Sequence, residues 1–259
     1  MAIATTSVEP VQFLGILADD LRWQILTALA RSDYRVQELV ERLGRPMNLV
    51  SYHLGKLRRV RLVSERRSDA DSRDVYYSLD LVRLQELYVQ AGESLHPALG
   101  NRVVSGQEVS DPKGRIPRIL FLCTENSARS QMAEGILRHF SHGRVEIASA
   151  GSRPTRVHPT AVEVLAEQGI DISHHRSKSL EEFRDQRFDY TITVCDRVKE
   201  TCPSFPGDPQ RIHWSFADPA AVSGPADRVR DGFRRTANEL QAMIRYLLIL
   251  IERDSRRAV

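Results

Sequence analysis

The chain has 259 residues, 41% hydrophobic and 27% charged, the proportions of a folded globular protein of one large or two ordinary domains. Its longest apolar run, residues 246–251, falls far short of the roughly 20 residues that span a bilayer, and no secretory leader is visible, which excludes a membrane protein and points to the cytoplasm. The net charge is only +3, so nucleic-acid binding has to rest on local clustering, and three cysteines suit a reducing compartment.

In chain order, the first informative stretch is helical. Val36, Leu39, Val40 and Leu43 recur at helical spacing, Gly44 breaks the helix and Pro46 opens the next. That second helix places Met47, Val50, Leu54 and Leu57 on one face, and Asn48, Ser51, Tyr52, Lys56 and Arg59 on the other. Two short helices around a tight glycine turn, the second polar and basic outside, form a helix-turn-helix pattern. Residues 61–66 and 74–79 read as strands, and residues 67–73 as the tip of a wing. Residues 45–73 hold eight Lys and Arg against three acids, a local 8 − 3 = +5. Attraction to phosphates supplies most non-specific DNA affinity, so this is the footprint of a DNA-binding face, with Arg67 and Arg73 adding wing contacts. The competing reading is a solvated charged face on a helical interaction module. His53 lies about 60° from the apolar centre line, which fits packing or a phosphate contact better than metal binding.

The stretch VQELVERLGRPMNLVSYHLGKLRRVRLVSERRSDADSRDVYYSL resembles the winged-helix repressors of the arsenic-repressor (ArsR) family, over about residues 8–96. The resemblance implies a homodimer that reads an inverted-repeat operator in double-stranded DNA, with residues 46–58 as recognition helix. Arsenic sensors of that family often carry a cysteine pair in the first helix of the motif. Here that region reads YRVQELV and no cysteine precedes Cys123, which excludes a thiolate arsenite site in this domain.

Residues 97–116 contain three Gly, two Pro and two Ser with little apolar periodicity and read as a linker. The expected division is a winged helix-turn-helix domain over 1–96, a linker over 97–116 and a second domain over 117–259.

The second domain opens on RILFLCTENSARSQMAEGIL, a buried-type strand, a short polar loop and a helix. Cys123 and Arg129 stand in a C-x5-R relation. Between a strand's carboxyl end and a helix N-terminus, unpaired N–H groups and the helix dipole favour an oxyanion. The same field, with Arg129, is expected to lower the Cys123 thiol pKa and keep a nucleophilic thiolate. Arg129 supplies a planar fork for two oxygens of a tetrahedral anion. Ser127 and Ser130 add hydroxyls, Ser130 donating to the thiolate, and Asn126 pins the loop. Cys195 follows a strand pattern at 190–194, which puts it at the same carboxyl edge as Cys123. Cys202 comes seven residues later. From the residues alone this pair is either two ordinary thiols or part of a metal site, and the spacing disfavours the metal.

This strand-loop-helix resembles the low-molecular-weight phosphotyrosine phosphatase family, most closely its arsenate reductase branch, over about residues 117–254. Further landmarks are SAG at 149–151, TVCDRVKETCP and HWSFADPA. The resemblance implies an α/β doubly wound parallel sheet, no bound cofactor, and a three-cysteine relay. In that relay Cys123 attacks arsenate, Cys195 releases arsenite as a disulfide forms, and Cys202 moves the disulfide outward to thioredoxin or a similar thiol donor. Asp218 matches the general acid. The phosphatase branch usually has an aromatic after this Asp-Pro, where Ala220 stands here, which favours a small inorganic oxyanion. Glu125 stands where the family commonly has Gly, which implies weaker oxyanion affinity. Some reductases hold potassium with residues matching Asn126, Glu134 and Ser149 plus an acid. The acid's place is taken here by Lys178, so either no cation is held there or the lysine supplies its charge. A long helix at 226–253, with Val229, Phe233, Leu240, Ile244, Leu247 and Ile251 on its apolar side, packs on the sheet.

The combined expectation is a DNA-binding winged helix fused to an arsenate reductase that regulates arsenic resistance. The alternatives are a regulator whose second domain only senses, and a low-molecular-weight protein tyrosine phosphatase.

Overall fold

This computed structural model describes residues 8–96, 99, 116–201 and 203–257, and the chain divides into two compact units, Met1–Ser110 and Asp111–Val259. The expected linker falls almost wholly outside the described residues.

The first unit has α1 (Pro10–Leu17), α2 (Asp20–Leu29), α3 (Val36–Leu43), α4 (Met47–Arg59) and α5 (Leu81–Leu95). A small antiparallel sheet of β1 (Tyr34–Arg35), β2 (Val63–Arg67) and β3 (Val75–Leu79), in the order β1-β3-β2, completes it. Asp19 caps α2 by accepting the Arg22 N–H at 2.9 Å. Gly44 ends α3 in the left-handed region, φ 60°, where a glycine meets no Cβ penalty. Phe13, Ile25, Leu39, Leu54, Leu57 and Leu87 meet in the core. Met47 departs from its expected place on the apolar face and is 49% exposed. It is the first residue of α4, and side chains lean toward a helix's N-terminus, so it reaches past the end of the helix. Arg61, expected in a strand, has φ 58° and closes the end of α4 by donating its N–H to the Arg58 carbonyl. The two-residue β1, paired with Tyr76 and Tyr77, is too short for alternation to reveal.

The second unit is built on four parallel strands, β4 (Arg118–Cys123), β5 (Glu146–Gly151), β6 (Tyr190–Thr193) and β7 (Gln210–His213), in the order β5-β4-β6-β7. Its helices are α6 (Arg129–Ser141), α7 (Pro159–Ala166), α8 (Asp196–Thr201) and α9 (Ala226–Arg257). From Ile119 to Cys123 every residue of β4 is buried, the unbroken apolar run of a strand covered on both faces. The chain leaves β4 for β5 on one side and returns to β6 on the other. This reversal places the sheet's switch point at the carboxyl end of β4, where open α/β sheets take their ligands. The apolar side of α9, with Phe233, Leu240, Ile244, Leu247 and Ile251 buried, covers the core. Among the described residues no helix is long and apolar enough to cross a membrane.

Candidate active site

Cys123 ends β4, and the loop Thr124–Ala128 carries the chain into α6. The loop's shape is imposed from outside. The carbonyls of Cys123, Thr124, Glu125 and Ser127 accept the backbone N–H groups of Ser152, Arg153, Thr155 and His158 at 2.8 to 3.3 Å. The Asn126 carbonyl accepts the Ser177 hydroxyl at 2.7 Å. In a trans peptide the N–H opposes the carbonyl, so turning these carbonyls outward turns the following N–H groups toward the loop's interior. One of them, Asn126 N–H, donates to Cys123 Sγ at 3.0 Å. Asn126 itself is left-handed, φ 49°. The loop lies so close to β5 that a Cβ on Gly151 would come within 2.7 Å of the Thr124 carbonyl oxygen and 2.8 Å of the Asn126 nitrogen.

Beneath the loop runs a directional chain of hydrogen bonds. Ser149 donates its only hydroxyl hydrogen to Glu134 Oε2 at 2.6 Å, and therefore accepts from Asn126 Nδ2 at 2.8 Å. Asn126 Nδ2 also donates to Ser130 Oγ at 2.9 Å, so the Ser130 hydroxyl hydrogen is left for Cys123 Sγ, 2.8 Å away. The Asn126 amide is oriented by its Oδ1, which accepts from Gln131 Nε2 at 2.8 Å and from the Lys178 N–H at 2.7 Å. At the far end the Lys178 ammonium lies 2.9 Å from Glu134 Oε2. Burial works to raise the Glu134 carboxyl, but Lys178 and the Ser149 hydroxyl outweigh it and hold it below its ordinary value. Lys178 thus puts a cation on the carboxylate. Among the described residues no three His, Cys, Asp or Glu side chains gather as a metal site.

The thiol itself corrects a sequence-based expectation. Burial, and then the neighbouring Cys195, push Cys123 above its ordinary value, against the lowering pull of Ser130, Arg129 and the Asn126 N–H. Desolvation acts on the whole sulfur, and a sequence does not reveal how dry a loop will be. Arg129 is buried, with NH1 donating to the Phe216 carbonyl at 2.8 Å and NH2 lying 3.0 Å from Asp218 Oδ2. Asp218 also caps the turn Pro219–Ala221 by accepting the Ala220 N–H at 3.1 Å. Val194 N–H donates to the Leu122 carbonyl at 2.8 Å, which sets the next residue, Cys195, level with the loop. Cys195 is buried, its Sγ 3.4 Å from Thr124 Oγ1. Glu125 is exposed, with its carboxylate 3.5 Å from the Ser127 hydroxyl. Cys202 lies outside the described residues.

In the first unit, Asn48, Ser51, Tyr52 and Arg59 are exposed on α4 and Lys56 is half-buried. The Lys56 ammonium stands 4.7 Å from the Tyr52 ring centre. On the wing Arg67 is exposed and donates to the Ser72 carbonyl at 2.9 Å. Arg73 lies 2.6 Å from Asp71 and pulls that carboxyl down to about 2, so its charge is already shared within the wing. His53 faces inward, buried, with Nδ1 3.4 Å from the Asp19 carboxylate.

A family model for the low molecular weight phosphotyrosine protein phosphatases matches residues 118–257. The chain belongs to this family. A second model, for bacterial regulatory proteins of the arsR family, matches residues 19–65 and places an ArsR-type helix-turn-helix in the first unit. The arsenate reductase of Halalkalibacterium halodurans is 38% identical over 127 residues, which cover 49% of this chain and 91% of that protein. The arsenate reductase of Bacillus subtilis strain 168 is 36% identical over 122 residues, covering 47% and 88%. A solved arsenate reductase in its phosphate-binding state aligns with TM-score 0.44 and 30% identity over 52% of this chain and 98% of its own. The second unit is an enzyme domain. Sequence reasoning missed Gln131 and Ser177, which orient the family's cysteine loop from positions whose letters carry no distinguishing pattern.

Proposed function

We propose that this chain reduces arsenate to arsenite through a three-thiol relay and, in the same polypeptide, binds an operator to regulate arsenic resistance. The observation that carries the reading is a second buried thiol, Cys195, beside Thr124 at the adjoining strand end and close enough to raise Cys123. Hydrolysis of a phosphate ester transfers no electrons and requires no second thiol, whereas reduction of arsenate does.

The Cys123 sulfur attacks arsenic, an As–O bond breaks, and the departing oxygen leaves as water, taking the thiol proton and one delivered by Asp218 from its place on Arg129. The N–H groups of the loop and Arg129 are to meet the oxyanion's charge, the Ser127 hydroxyl joining them on turning from Glu125, while the Ser130 hydroxyl serves the Cys123 sulfur. Cys195 then attacks the Cys123 sulfur. The S–As bond breaks with its electron pair staying on arsenic, which falls from the +5 to the +3 state while two thiols become one disulfide. The Cys195 proton leaves with arsenite. Cys202 displaces Cys123 from that disulfide, and an external dithiol such as thioredoxin reduces the resulting Cys195–Cys202 bond. The exposed Asn48, Ser51, Tyr52 and Arg59, with Lys56, Arg67 and Arg73, are the proposed DNA contacts. Exposed Val11 and Leu14 on α1, beside exposed Tyr88 and Leu95 on α5, support a homodimer.

The test is arsenate-dependent NADPH consumption with thioredoxin and its reductase. Turnover in the wild type that vanishes in Cys195→Ser supports the relay, and its absence from the folded wild type overturns the enzyme. A second reading, in which the second unit senses without turnover, is favoured by the lack of any cysteine before Cys123. It predicts operator affinity that changes with arsenite, arsenate or oxidant in a protein that does not turn over.

A further inference from the structure

Neither the cysteine loop nor the DNA-binding face uses the buried carboxylate that follows the second thiol. Asp196, the residue after Cys195 and the first of α8, is 0% exposed, and His213, the last residue of β7, is 3% exposed. His213 Nε2 lies 3.1 Å from Asp196 Oδ1, and the Ser215 hydroxyl donates to the same oxygen at 2.8 Å. The other ring nitrogen, Nδ1, lies 2.8 Å from Thr193 Oγ1 at the end of β6. A carboxylate taken this far from water is costly unless paired, and here two strands and the segment after β7 converge to pair it.

The thiol exchange requires Cys195 to stay beside Thr124 to reach Cys123, and Asp196 is the next residue in the chain.

We propose that Asp196 and His213 are positioning residues that hold Cys195 against the end of β4. The inference rests on the relay reading. The step they serve is the one written above: the Cys195–Cys123 bond forms as the Cys123–As bond breaks, its electron pair going to arsenic and the Cys195 proton to the leaving arsenite.

The test compares full-length wild type, Cys195→Ser, Asp196→Ala and Asp196→Asn. Each is mixed with arsenate for a single turnover, quenched with a thiol-blocking reagent, and assayed for the Cys123–Cys195 disulfide by peptide mass spectrometry. Arsenate KM and the rate of Cys123 alkylation by iodoacetamide are measured beside it. Asp196→Ala should slow disulfide formation and kcat at least tenfold, with KM and Cys123 alkylation within twofold of wild type. Asp196→Asn, whose amide oxygen still accepts from His213 and Ser215, should recover the rate to within threefold. If Asp196→Ala does not fold, His213→Phe carries the same comparison. Disulfide formation within twofold of wild type in the Ala or Phe variant overturns the inference. So does a parallel change in Cys123 alkylation, which marks a general disturbance of the fold. A wild type that forms no disulfide overturns the relay reading and this inference with it.

Discussion

Gly151 shows how one residue decides the shape of a site. A methyl group there would meet the Thr124 carbonyl and the Asn126 nitrogen at 2.7 and 2.8 Å, and both belong to the backbone that surrounds the thiol. Gly151→Ala should therefore cost about 2 kcal/mol in urea unfolding and lower arsenate turnover at least tenfold, because the loop has to shift. The letters SAG were visible in the sequence as a landmark, but the atoms that exclude a side chain come from a loop 25 to 27 positions earlier. Lys178 is the second case. Glu134 and Lys178 are 5% and 14% exposed in their side chains, so Lys178→Met leaves the buried carboxylate with Arg138 alone, 2.8 Å from its other oxygen. With Arg138 still in place the loss should be about 1–2 kcal/mol, below that of an uncompensated buried charge and measurable by urea unfolding. Lys178→Met should also reduce turnover, since Glu134 fixes the direction of the hydroxyl chain that ends at Cys123.

At the scale of elements, α4 is the part of the chain whose surface is separable from its fold. Val50, Leu54 and Leu57 bury one face of α4, and Asn48, Ser51, Tyr52 and Arg59 are left to solvent on the other. Lys56→Ala should weaken binding to operator and unrelated DNA about equally, and reduce the slope of log K against log salt by about 1, as for a lost phosphate contact. A drop confined to the operator would instead make Lys56 a base-reading residue. This helix and the Gly44 stop of α3 before it were legible because a 3.6-residue period and a left-handed glycine are local properties. The strand after it began at Val63 rather than Arg61, because Arg61 turns to close the end of α4.

For the whole molecule the buried network around Glu134 predicts an acid limit. Glu134 is held below its ordinary 4.5, chiefly by Lys178 against the pull of burial, so its contribution is present above 4.5 and is lost as pH falls through the lower folded value. His175, whose Nδ1 lies 3.0 Å from Gln131 Oε1, is pushed below its ordinary 6.5, first by burial. Its neutral form is favoured by folding, so that contribution too is complete above 6.5 and declines below it. Both groups act in the same direction. Stability of the second unit, followed by Trp214 fluorescence in urea, should decline below pH 6.5 through His175 and further below 4.5 through Glu134, and Glu134→Gln should flatten only the part below 4.5.

The helix-turn-helix and the strand, loop and helix around Cys123 were readable from the chain, because each depends on short-range period, turn chemistry and strand-end position. Two properties of the site were not. The Cys123 thiol rises instead of falling, since burial by residues distant in sequence outweighs the nearby donors that a motif displays. The Asp196–His213 pair joins positions 17 apart in the chain, and only the register that sets β6 beside β7 brings them together. Local periodicity is written along the chain, whereas desolvation and charge pairing depend on distances through space, which exist only once the sheet has formed.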